Sequence, residues 1–307
     1  MNSAPPLPTD HLILAIPNFN GAKYLARTLE SLAANGSAVR WWLQDNCSTD
    51  DSLRIAKSYA RPCDTICQAN DSGQADALNR VFEKMGGAVI GFINSDDCLC
   101  PNAADQVLGF FNEHPEIDLV YGEVEWIDEN DQVIGTHAGR IDSLAEMLDV
   151  FHVWWRKRQW VQPEVFFRRS LWEKAGPFDC RYDLAFDYDF WVRCFRAGAR
   201  VARLPVKLAQ FRHHSGQKSM RSEEAAAEIR MILKRTLEEP LPISKYRQWA
   251  LWKHLEYDLY RIGKENDSFP AKLLSHPEWL MVSDVRDRIL FNLRERLRRF
   301  QREDSGG

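Results

Sequence analysis

The sequence predicts an α/β fold: a mostly parallel central sheet flanked by helices, followed by a helical C-terminal extension. Three observations carry this. Short apolar, β-branched runs alternate with helical patterns from Leu12 to Pro101, which is the rhythm of β-α-β units. Those runs lead into polar turns rich in Asn, Asp and Ser, at the strand ends where open α/β sheets place their ligands. Residues 220–302 are almost entirely helical in pattern, too long a run to belong to the same alternation.

Taken in order, the first strand is read at Leu12–Ile16, stopped by Pro17, which has no N–H to give to a ladder. A helix from about Ala22 sets Leu25, Leu29, Leu32 and Ala33 on one face and ends near Asn35-Gly36. Val39–Leu43 is the second strand, and a turn over Asp45–Ser48 leads to a helix capped by Ser48 or Thr49. Asp64–Gln68 is a short third strand, and Ser72-Gly73 opens a helix to about Met85. Ala88–Ile93 reads as a strand buried on both faces, and Pro101 starts the next helix. Leu119–Asp128 and Val133–His137 read as a hairpin across Glu129-Asn130-Asp131. From about Ser143 the pattern is mostly helical, and Glu303–Gly307 is expected to be disordered. The expected organisation is one domain over 1–220 and a helical region over 221–307.

The chain has 307 residues, 45% hydrophobic and 27% charged, with a net charge of −4, so nothing in its balance points to nucleic acid. It contains no apolar run of about 18 residues, and Met1–Pro6 lacks the basic and apolar regions of a secretory signal. A cytoplasmic location is expected, with peripheral contact at the inner face of the membrane as the variant. Seven scattered cysteines without paired spacing read as reduced thiols rather than a zinc site.

The chemistry concentrates at the strand ends. Asn94-Ser95-Asp96-Asp97 places two adjacent carboxylates after a buried strand; a divalent cation offsets their repulsion, and a solvated Asx turn is the alternative. Asp45 can accept from the imide N–H of a uracil or from a guanine edge, or serve a capping turn. Pro17-Asn18-Phe19-Asn20-Gly21 lacks GxGxxG but offers a tight turn before a helix N-terminus. Asp76 and Asn79, three apart, share one helix face that points at a sugar or a ribose, or else at solvent. Trp154, Trp155 and Trp160 stand among Arg156, Lys157 and Arg158, a mixture suited to binding an acceptor glycan or to packing a segment. Residues 286–302 form a basic amphipathic pattern, suited to an anionic membrane surface or to packing with a solvated basic face.

Together Leu14–Asn20, Asp45–Asp50, Asp71–Asn79 and Asn94–Asp97 resemble glycosyltransferase family 2, and within it the bacterial surface-polysaccharide branch. The resemblance covers roughly residues 10–220. It departs at Cys47, where the branch usually has Gly, at Asn18, where Thr or Ser is common, and at Phe186, where many members have Glu. It implies a GT-A, Rossmann-like fold and an inverting transfer from a nucleotide-diphosphate sugar, UDP-sugar favoured, to a glycan or lipid-linked acceptor. The donor part would span about 10–128 and the acceptor part about 129–220. By position it implies Pro17, Asn18, Asn20, Asp45, Asp76, Asn79 and Asp96 for the donor, with Arg212 and Lys218 neutralising phosphate. It implies Mn²⁺ or Mg²⁺ held by Asp97 with His214. Asp187 would be the base, Asp189 the runner-up, and Trp154, Trp155, Trp160 and Gln162 would face the acceptor. Two rivals remain. A sugar-nucleotide-forming nucleotidyltransferase would need a Gly-rich basic loop after the first strand, where only Lys23 stands near. A non-catalytic partner would be expected to lack the carboxylates.

Overall fold

The computed structural model describes residues 10–153, 156, 158–262, 273–283, 285–291 and 294. They divide into two compact units, one ending at Ile229 and one beginning at Arg230. The first holds a nine-stranded sheet in the order β3-β2-β1-β4-β8-β6-β9-β5, with β7 on β6. Its α/β, mostly parallel first half bears out the fold expectation. β1 (Leu12–Asn18), β2 (Val39–Asp45), β3 (Thr65–Gln68) and β4 (Val89–Phe92) are parallel neighbours. α1 (Ala22–Ala33), α2 (Ser52–Tyr59) and α3 (Gln74–Lys84) connect them, and α4 (Ala103–Glu113) follows the two-residue β5 (Cys98–Leu99). The order 3-2-1-4 puts the switch point between β1 and β4. Leu14, Ile16, Leu43 and Val89 are among the fully buried residues of the core beneath it.

Pro17 does not end β1. Ala15 O accepts from Ile93 N at 3.0 Å while Asn18 O accepts from Asn46 N at 2.9 Å. Alternate residues therefore face opposite neighbours, and Pro17 faces β4 just beyond the last β1–β4 pair, Ala15 with Phe92. The missing N–H costs no ladder bond. α2 begins at Ser52, without the Ser48 or Thr49 cap expected: Asp50 Oδ1 accepts from Ser52 N at 3.0 Å, and Ser48 is engaged elsewhere.

The hairpin of β6 (Leu119–Ile127) and β7 (Val133–His137) is present. The expectation of mostly helix from Ser143 is corrected. α5 (Leu144–Met147) is a single turn, and α6 (Arg169–Ala175) and α7 (Phe186–Arg196) are helical, but two strands intervene. β8 (Val165–Arg168) is antiparallel between β4 and β6; four residues carry too little alternation to be read. β9 (Val201–Arg212) runs parallel to β6 and was hidden by Pro205. The register slips there, from Tyr121 opposite Arg203 to Glu123 opposite Lys207, so a bulge accommodates the proline. β9 delivers Arg212 to the turn after β4.

α8 (Ser222–Leu237) leads from the first unit into the second, which contains α9 (Lys245–Ile262). There Val285 and Ile289 are buried with Tyr257 and Trp279, and Arg288 bonds Asp258 at 3.0 Å. Over its described residues, the start of the basic 286–302 segment uses its apolar side for packing; the remainder lies outside the described residues, as does Glu303–Gly307. Among the described residues no helix is long and apolar enough to cross a membrane.

Candidate active site

β1 and β2 end level, Asn18 opposite Asp45. The Asp45 carboxylate is fully buried and accepts from Asn18 Nδ2 at 2.7 Å, Ser48 Oγ at 2.6 Å and Ser48 N at 2.9 Å. Asn20, at φ +51°, closes the turn: its N donates to Ser48 Oγ at 2.8 Å and its Oδ1 accepts from Thr49 N at 2.9 Å. Cys47 also sits at φ +51°. That left-handed backbone is the reason glycine suits the position. Asp45 therefore organises the first two strand-end turns, and a base would use what acceptor capacity is left on Oδ2. Gly21 brings the start of α1 against Asn18 and Ser95, whose side chains occupy the space a Cβ would take.

Asp97, buried in the turn after β4, accepts from Arg212 N at 3.0 Å and from Asn94 Nδ2 at 3.2 Å. Burial first, then the neighbouring Asp96 charge, push its carboxyl well above the usual range. Asp96 Oδ2 lies 2.9 Å from His214 Nε2. Asp96 Oδ2 and His214 Nε2 thus stand side by side as oxygen and nitrogen donors of the kind Mg²⁺ or Mn²⁺ takes, while the oxygens of the adjacent Asp97 are held by Arg212 N and Asn94 Nδ2.

Arg212 does not serve the phosphate role expected of it. Its buried guanidinium donates to Asp96 O at 2.8 Å, Asp128 O at 2.9 Å and Asp131 Oδ1 at 2.5 Å, and lies 4.6 Å from the Tyr24 ring centroid. With those donors spent it braces the carboxylate turn against the β6–β7 loop. Lys218 pairs with Asp183 at 2.6 Å, well along the chain from His214's partner.

The start of α7 separates its two acids. Asp189 is buried and paired with Arg193 at 2.8 Å. Asp187 remains partly exposed, accepts from the neighbouring Tyr188 N at 2.7 Å and from its own backbone N–H, and meets no cation among the described residues. Burial of its carboxyl raises it to about 7. Phe186 packs on Phe92, ring centroids 6.0 Å apart, which sets this helix start beside the end of β4.

Other expected contacts are consumed within the protein. Asp76 accepts from Ser72 N at 2.9 Å and pairs with Arg80 at 2.9 Å, tying the turn before α3 to its first helical turn. Asn79 donates to Phe178 O at 2.9 Å and accepts from Phe178 N at 2.8 Å, clipping α3 to the acceptor-side loop. Asn79→Ala would strand both backbone groups, so a loss of about 2–3 kcal/mol is expected in chemical denaturation, with donor KM within about twofold. Trp160 is not an acceptor platform: it is 2% exposed and packs against Tyr121, Trp191 and Phe195. Gln162, also buried, donates to Phe92 O at 2.5 Å and accepts from Asn94 Nδ2 at 3.0 Å, bracing the carboxylate turn. Trp154 and Trp155 lie outside the described residues.

Two residues escaped sequence reasoning. Asn94 is a hub: besides Asp97 and Gln162, its Oδ1 accepts from Gln74 Nε2 at 2.6 Å. Its motif was visible, its partners were not. Glu228 carried no signal at all: from α8 it accepts from Asp183 N, Leu184 N and Ala185 N, in a loop far away in sequence.

A family profile described as Glycosyl transferase family 2 matches residues 13–174. A PGL/p-HBAD biosynthesis glycosyltransferase of Mycobacterium tuberculosis is 31% identical over 209 residues, 66% of this chain and 77% of its own. Staphylococcus aureus TarS 1-349 in complex with UDP-GlcNAc has a TM-score of 0.62 at 16% identity, over 80% of this chain and 72% of that one. The match takes in 43% of the longer TarS chain. A Pyrobaculum calidifontis mannosyltransferase in complex with GDP-Man and Mn²⁺ has a TM-score of 0.56 at 14% identity, over 90% and 82% of the two chains. These structural likenesses bear on the fold, which is of the GT-A type.

Proposed function

We propose that this chain, which belongs to glycosyl transferase family 2, moves a sugar with inversion from a nucleotide-diphosphate donor, UDP-sugar favoured, to a glycan or lipid-linked acceptor. The setting is bacterial cell-surface polysaccharide biosynthesis in the cytoplasm, with peripheral contact at the inner face of the cytoplasmic membrane as the variant. The catalytic domain is 1–220 and the helical region 221–307.

One observation carries the reading. Of two acids at the start of α7, Asp189 is neutralised by Arg193, while Asp187 has no cation partner among the described residues and burial pushes its carboxyl up to about 7. A base matched to neutral pH is what direct displacement by an acceptor hydroxyl requires. Asp187 Oδ takes the hydroxyl proton as the oxygen attacks the anomeric carbon from the face opposite the leaving diphosphate. Pro17, Asn18, Asn20 and Asp45 form the turn that receives the nucleoside, and Asp96 faces the ribose or metal. Asp97, Asp96 and His214 would hold Mg²⁺ or Mn²⁺. Such an ion, when bound, neutralises the charge that develops on the leaving diphosphate. The relative's name, a PGL/p-HBAD biosynthesis glycosyltransferase, supports transfer in a biosynthetic setting, and the UDP-GlcNAc and Mn²⁺ complexes of the structural neighbours support the donor class and the ion.

The test is a panel of nucleotide sugars with Mn²⁺, read as thermal stabilisation of the full chain. One donor is expected to stand out, worth about 2.7 kcal/mol at a hundredfold excess over Kd. A flat panel across uridine, guanosine and thymidine diphosphate sugars would overturn the reading.

A further inference from the structure

The segment after β9 touches both carboxylate centres. His214 bonds Asp96 at 2.9 Å. Further on, Lys218 Nζ and Arg221 Nη1 bond the two carboxylate oxygens of Asp183, at 2.6 and 2.8 Å. Then, from α8, Glu228 accepts from three consecutive backbone N–H groups: Asp183 N at 3.0 Å on one oxygen, Leu184 N and Ala185 N at 2.8 Å each on the other. Ala185 is the N-cap of α7 and has no side-chain oxygen to satisfy the first amides. Glu228 instead ties down the three amides just ahead of α7, from Asp183 to Ala185, while the first-turn amide of Tyr188 goes to Asp187 Oδ1. Asp187 lies two residues beyond this clamp.

We propose that Glu228 is a positioning residue for the base: it fixes the backbone from which Asp187 projects and keeps a negative charge facing it. The inference rests on the reading of Asp187 as the base. The Glu228 charge adds to burial in holding the Asp187 proton. The other charged groups around this helix start are mutually balanced. Asp183 faces Lys218 and Arg221, Glu224 pairs with Arg221, and on α7 itself Asp189 pairs with Arg193. Glu228 differs from these in spending its carboxylate on neutral backbone amides, so its charge has no counter-ion in that clamp.

The experiment is the pH–rate profile of the full chain carrying Glu228→Gln or Glu228→Ala, with melting curves at each pH. Glu228→Gln keeps an amide oxygen to accept from the clamp but removes the charge. Its acid limb is expected to move down by about half a pH unit, with donor KM within about twofold. Glu228→Ala is expected to lower kcat about tenfold at an unchanged donor KM, since the base is displaced from the acceptor proton and the donor site is intact. If the Glu228→Gln limb coincides with wild type, and the Glu228→Ala loss follows its melting curve, Glu228 is a structural clamp on the loop before α7 and nothing more. Asp187→Asn, run alongside, separates the two readings: undiminished turnover in that variant refutes the base assignment itself, whatever Glu228 does.

Discussion

Asp187→Asn is expected to lower kcat by about 10²–10⁴-fold while leaving donor KM within about twofold, measured by steady-state transfer at pH 8. The amide preserves size and most contacts but cannot take a proton. Donor-site residues in β1, β2 and the turn after β4 are untouched. In the wild type, kcat/KM should rise with pH through about 7, where the Asp187 carboxyl ionises, and level off above. The variant should lose that limb. A stability signature accompanies it. The folded-state carboxyl is raised from 3.8 to about 7, so folding disfavours the ionised form. The resulting penalty is absent below the ordinary value, grows between the two, and is complete above about 7. At pH 8 the Asn variant should therefore be the more stable protein, by about 1–3 kcal/mol after allowance for partial exposure, with the advantage fading as pH falls toward 4. An unchanged turnover number would move the base elsewhere. Asp189 would be a poor substitute, since Arg193 already claims its carboxylate.

Asp97→Asn is expected to lower transfer by about 10²–10³-fold and to abolish the Mn²⁺-dependent part of donor stabilisation in thermal melts. Here the fold should survive. The Asn oxygen can still accept from Arg212 N, and one of two repelling carboxylates is removed from a buried turn. Turnover that persists both in this variant and with chelator would rule out the metal role. The contrast between the two variants is informative. One should bind donor without transferring it, the other should fail to hold donor through the ion.

Much of the fold was legible because it rests on local pattern. Leu12–Ile16, Val39–Leu43 and Ala88–Ile93 are apolar runs whose β-branched and aromatic residues favour strands, and Leu25, Leu29 and Leu32 mark a buried helix face. β9 was not legible, because Pro205 breaks its alternation and only a bulge opposite Gly122 in β6 makes the strand possible. Trp160 was ambiguous for a different reason: an aromatic ring beside cations has the same composition whether it faces a sugar or the core, and Trp191 and Phe195 decided for the core.

The sequence by itself determined the α/β rhythm, the order of the polar strand ends and the presence of acids where a metal and a base are needed. Those follow from hydrophobic periodicity and residue type, which act over a few positions. The task proposed for each acid rests on tertiary structure alone. A carboxylate's character depends on burial and on the charges and donors within a few ångströms, and those come from distant segments. Arg193 quiets Asp189, Glu228 clamps the backbone before Asp187, and Arg212, read as a phosphate ligand, is instead the buried brace of the Asp96-Asp97 turn.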